Sequence, residues 1–117
     1  MAKILVIDDS NTDRALMKGI LDGHEVLEAT NGDEGFKMAV EHEPELVFLD
    51  VVMPGRNGFQ ICRDLHREAS MENVPIIMLT SKNQQTDKEW GMRQGATEYL
   101  TKPYTDEDVL SILKQYL

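Results

Sequence analysis

The chain carries a single cysteine, Cys62, so no internal disulfide can form and the fold must rest on its core. That scarcity fits a reducing compartment, and a cytoplasmic location is expected. Positive charge is also short: 12 Lys and Arg stand against 21 Asp and Glu, a formal net charge of −9. Nucleic-acid binding requires clustered cations to neutralise phosphates, so that class is excluded. No apolar run approaches the roughly 20 residues a membrane helix needs. The opening MAKILVIDDS turns acidic too early for a signal peptide. There is no low-complexity tract and no break in composition, and 117 residues suit one domain, 1–117, with no output module and a monomeric state.

What is present is alternation. Apolar runs fall at 4–7, 26–29, 46–49, 74–79 and 97–100, separated by longer amphipathic stretches. The first, third and fourth are nearly continuous in Ile, Leu and Val, as buried central strands should be. The second and fifth are more polar and belong at the edges. Helix starts are marked by Ser10, by Asn31 with Glu34, by Asn57 with Gln60, and by Thr105 followed by three acids. Gly23 and Gly95 read as stops after the first and fourth helices. The first helix is expected to turn Leu16, Ile20 and Leu21 to the core, and Cys62 to lie buried in the third. The fourth, over 84–94, has few apolar residues and an internal Gly91, which costs about 1 kcal/mol relative to Ala. It is expected to be the least firmly packed. Strand and helix repeated five times predict an α/β fold, a doubly wound parallel sheet with helices on both faces.

The stretch 46–58, LVFLDVVMPGRNG, organises the rest. Asp50 stands where a buried strand gives way to a Pro/Gly turn, the place where open α/β sheets put their chemistry. Each strand end adds a polar group: Asp8 and Asp9 after the first, Thr80 after the fourth, Lys102 after the fifth. Such ends converge at one edge of the sheet. Like charges about 4 Å apart cost on the order of 4 kcal/mol at an effective dielectric of 20. Lys102 offsets part of this, and a hard divalent ion, Mg²⁺, suits all-oxygen ligands. A nucleophilic carboxylate beside a metal, a cation and a hydroxyl is equipped for phosphoryl transfer.

The set VIDDS (6–10), LDVVMPGRNG (49–58), IIMLTS (76–81) and YLTKPY (99–104), in this order and spacing, resembles the receiver domain of bacterial two-component response regulators. The resemblance spans the chain and implies the flavodoxin-like strand order 2-1-3-4-5. It makes Asp50 the phosphoacceptor, fed by a histidine kinase of the chemotaxis CheA type. Asp9, Asp50 and the Val52 backbone carbonyl would ligate Mg²⁺, with Asp8 acting through water. Thr80 would close on the phosphoryl group, Lys102 would be its counter-ion, and the bond before Pro103 would be cis. Tyr99 would be the aromatic switch, reshaping a face of the 84–94 helix, the fifth strand and the last helix for a downstream protein. Such a protein is not an enzyme with a separate substrate, although it catalyses its own phosphotransfer and slow dephosphorylation. Apolar Val52 and cationic Lys82 imply slow phosphoryl loss. The run 86–103, with Trp90 and Gly91, further resembles stand-alone regulators of pilus-type chemosensory systems. Trp90 is a candidate partner contact.

Other functions fit less well. A haloacid dehalogenase-type phosphatase needs an acid two residues after the nucleophile, where Val52 stands. A flavodoxin-like electron carrier needs a Ser/Thr/Gly phosphate loop where DDSNTD stands. A phosphate sink drawing on a shared kinase would carry the same site residues as a switch. His24, His42 and His66 lack metal-ligand spacing and read as surface or packing residues.

Overall fold

The structure, a computed structural model, describes residues 1–81, 89 and 92–117. Lys82, Trp90, Gly91 and most of the expected 84–94 helix lie outside them. Five parallel strands, β1 (Lys3–Ile7), β2 (Glu25–Ala29), β3 (Leu46–Asp50), β4 (Ile76–Thr80) and β5 (Glu98–Thr101), form one sheet in the order β2-β1-β3-β4-β5. Helices α1 (Asn11–Ile20), α2 (Gly32–His42), α3 (Gly58–His66) and α4 (Asp106–Tyr116) cover it. The order is the expected one, and so is the burial. Every residue of β3 and β4 is buried, whereas β2 and β5 are mostly half-exposed edges.

Alternation along the strands splits the core in two. Leu5, Ile7, Val47 and Leu49 point to the side of Ala39, Ile61, Cys62 and Leu65, contributed by α2 and α3. Ile4, Val6 and Phe48 point to the side of Met17, Val109 and Ile112, contributed by α1 and α4. Cys62 is buried, as expected.

The helix starts sit where the sequence placed them. The Ser10, Asn31, Asn57 and Thr105 side chains each accept the backbone N–H three residues on. Asn57 with Gln60, and Thr105 with Asp108, close full capping boxes. Glu34 instead reaches back to the Thr30 N–H, so the box at Asn31 is incomplete. Gly23 and Gly95 adopt φ of +94° and +98°, which suits their role as stops.

One helix face differs from expectation. Leu16 is 61% exposed, and Met17 is the α1 residue sealed into the core beside Ile20 and Leu21. The apolar run ALM leaves two adjacent positions competing for one face, and the docking of α1 on the sheet selects Met17.

Candidate active site

The register of the sheet assembles the site. Ile7 pairs with Leu49, Asp50 with Leu79, and Thr80 with Thr101. The carboxyl ends of β1, β3, β4 and β5 therefore finish together, and the next residues of β1 and β5 are Asp8 and Lys102. Asp50 is the last residue of β3 and is only 6% exposed. Asp8 is 1% exposed, Thr80 is fully buried, and Asp9 is exposed.

Asp8, Asp9 and Asp50 each place a carboxylate oxygen within 4.8 Å of the others. An all-oxygen cluster with one exposed member is the donor set of a hard divalent ion that keeps water, and the residues fit Mg²⁺. Val52 follows on the loop and is 56% exposed. Gly58 closes that loop against the strand. Its N–H donates to the Val51 carbonyl at 2.9 Å, and a Cβ there would lie 2.3 Å from the Asp50 carbonyl oxygen. Only glycine permits that approach.

Lys102 enters from beyond β5, and the peptide it shares with Pro103 is cis. Its ammonium lies 2.8 Å from Asp8, 2.7 Å from Asp13 and 3.6 Å from Asp50. Burial alone would lower the Lys102 pKa, but the hydrogen bonds to Asp13 and Asp8 and the charge on Asp50 raise it above its ordinary value. It stays charged at any physiological pH. Asp50 is perturbed the other way. Burial first, then the charges on Asp8 and Asp9, push its carboxyl up to about 7 against the pull of Lys102. The charged carboxylate is thus disfavoured even with Lys102 beside it, and a further cation would offset that.

Asp8 is held in place from several sides. Its Oδ1 accepts the Ser10 N–H at 2.9 Å, and its carbonyl accepts Arg14 Nη1 at 2.7 Å. Tyr99 is half-buried on β5, opposite Met78, and packs against the core on the α2–α3 side. Beside the site a cleft of about 300 Å³ is lined by Asp13, Leu16, Ser81, Lys102, Pro103 and Tyr104.

The structure therefore brings together Asp8, Asp9, Asp50 and Lys102, with Thr80 at the adjoining strand end. It leaves Tyr99 on β5, and Trp90 is not among the described residues. Sequence reasoning missed Asp13 and Arg14. Their signal was faint: a charged pair in the first turn of α1, indistinguishable from a solvated helix start.

Comparison with known proteins agrees with this geometry. Residues 4–114 match the response regulator receiver domain family. The protein PilH of Pseudomonas aeruginosa is 45% identical over 100% of this chain and 98% of its own length. The chemotaxis protein CheY4 of Vibrio cholerae superposes with a TM-score of 0.94 at 33% identity, covering 100% of this chain and 99% of that one. The receiver domain of a sensor histidine kinase from Pseudomonas aeruginosa shares the fold at 24% identity and a TM-score of 0.91, covering 98% of this chain and 96% of that one. It carries a magnesium ion coordinated in its active-site cleft.

Proposed function

Because the chain belongs to the response regulator receiver family, whose members take phosphoryl groups from histidine kinases and bind downstream proteins, we propose that Asp50 is its phosphoacceptor. The observation that carries this is one buried carboxylate set between an acidic pair and a lysine at the ends of three strands. In the transfer, an Asp50 carboxylate oxygen attacks phosphorus and the P–N bond of the donor phosphohistidine breaks. Its electron pair stays on the imidazole nitrogen, and an acyl phosphate is left on Asp50.

Asp8, Asp9, Asp50 and the Val52 carbonyl would hold Mg²⁺, which when bound supplies positive charge against the transferring phosphoryl oxygens. Lys102 supplies the second cation, already charged and within 3.6 Å. Asp8, fixed by Ser10 and Arg14, orients that lysine. The product carries roughly two negative charges and three acceptor oxygens, toward which the Thr80 hydroxyl and the ammonium are drawn. Movement of Thr80 opens space for Tyr99, and the face around β5 and α4 changes its affinity for a partner. The protein acts on no substrate beyond its own phosphotransfer, and it works in the cytoplasm. No helix among the described residues is long and apolar enough to cross a membrane. Similarity to PilH favours a pilus motility or chemotaxis-like pathway, with a CheA-type kinase as donor.

The test is phosphorylation by acetyl phosphate followed by intact mass, with Mg²⁺ and with EDTA, on wild type and Asp50→Asn. A Mg²⁺-dependent gain of one phosphoryl group, absent in the variant, is expected. No gain under either condition would leave a receiver fold that works by binding alone.

A further inference from the structure

Asp13 makes a shorter contact with Lys102 than either Asp8 or Asp50 does. It stands in the first turn of α1, where its backbone N–H is fixed on the Ser10 side chain at 3.1 Å. An acid there suits a helix N-terminus, which explains its type. The helix alone does not explain a 2.7 Å contact with a lysine 89 residues away.

An ammonium has three N–H groups and no more. Two are committed, one to Asp8 and one to Asp13, while Asp50 waits at 3.6 Å. The two holders are not equivalent. Asp8 is sealed in at 1% side-chain exposure, whereas Asp13 is 34% exposed at the cleft and free to turn away. A phosphoryl group on Asp50 would present three acceptor oxygens to the same ammonium. Asp13 is its replaceable partner.

We propose that Asp13 is a positioning residue that restrains Lys102 in the unphosphorylated protein, so that the ammonium's approach to a phosphoryl group on Asp50 competes with the Asp13 contact and phosphorylation is slowed by it. The proposal rests on Asp50 being the phosphoacceptor. A charge-assisted contact that water already reaches is modest, and its removal should speed transfer about fivefold.

The experiment follows phosphoryl gain from acetyl phosphate in Mg²⁺ by intact mass. Asp13→Asn should be about fivefold faster than wild type and Asp13→Glu close to wild type. In a Lys102→Ala background, Asp13→Asn should change the rate less than about twofold, since effects through one partner are not additive. A full-size effect surviving there would mean that Asp13 merely repels the anionic donor, and the proposal falls. No acceleration in the Lys102-bearing chain overturns it too. A second readout needs no phosphoryl group: the ¹⁵N signal of the Lys102 ammonium, identified by its loss in Lys102→Ala. Its protons should exchange with water faster in Asp13→Asn and at the wild-type rate in Asp13→Glu. Wild type that takes no phosphoryl group sinks the phosphoacceptor reading and the kinetic claim with it, whereas unaltered ammonium exchange in Asp13→Asn sinks the contact alone.

Discussion

Lys102 Nζ stands 3.6 Å from Asp50 Oδ1, too far for a hydrogen bond and close enough to feel its charge. Burial and the neighbouring acids therefore outweigh the lysine, and the Asp50 carboxyl is pushed up to about 7. A raised acid pKa means that the folded chain binds more protons than the unfolded one between about pH 4 and 7. Stability falls as pH rises through that window, and the whole cost is present above it. A gap of about three pH units is on the order of 4 kcal/mol at most. In metal-free protein, Asp50→Asn should exceed wild type by roughly 2–4 kcal/mol at pH 8, and the difference should close near pH 4. Urea unfolding at both pH values measures it.

Divalent metal should reverse the same penalty. With Mg²⁺ at about 100 times its dissociation constant, wild type should gain roughly 2.7 kcal/mol at pH 8. Asp9 is exposed, so Asp9→Asn should fold normally and lose most of that gain. Thermal unfolding against Mg²⁺ concentration is the check, and a flat wild-type response would count against the metal site.

Gly58 holds the loop against the end of β3. Gly58→Ala places a methyl carbon 2.3 Å from the Asp50 carbonyl oxygen and 2.7 Å from Val51 Cα. Both are backbone atoms, so relief requires moving the strand end. We expect a loss of roughly 3 kcal/mol or more, with phosphoryl acceptance impaired even at temperatures where the variant stays folded. Gly55→Ala, at φ +77° but in open space, should cost about 1 kcal/mol and spare acceptance.

Val52, two residues after Asp50, is exposed, and its side chain can neither donate nor accept a hydrogen bond. Val52 itself therefore offers an attacking water no orienting group. The Asp50 phosphoryl group should persist for minutes or longer at room temperature, and Val52→Asn should shorten its lifetime several-fold. Time-resolved intact mass after removal of donor reads both values.

Much of this was legible beforehand because each signal was local or periodic. Continuous Ile/Leu/Val runs marked β1, β3 and β4, since a strand covered on both faces has no polar side to show. Asp50 stood out because a carboxylate has no place inside such a run. Asn57 and Thr105 announced their helices through hydrogen bonds that close within four residues. What stayed hidden depends on how elements dock. Whether Leu16 or Met17 faces the sheet turns on the rotation of α1 about its own axis, which the ALM triplet leaves open. Asp13 meets Lys102 only in the folded chain, across 89 residues of sequence, and no spacing within α1 encodes that approach.

The site takes residues 8, 50, 80 and 102 from the ends of four strands whose register is set by the whole sheet. No contiguous fragment holds enough of it to work. A chain cut in the connection before β4 would carry Asp8, Asp9 and Asp50 on one piece and Thr80 with Lys102 on the other. Neither piece alone has a counter-ion set for a phosphoryl group, so activity from the mixture would report reassembly. With Asp50 as the proposed phosphoacceptor, the fold contains the elements of a split reporter whose signal would be a chemical modification.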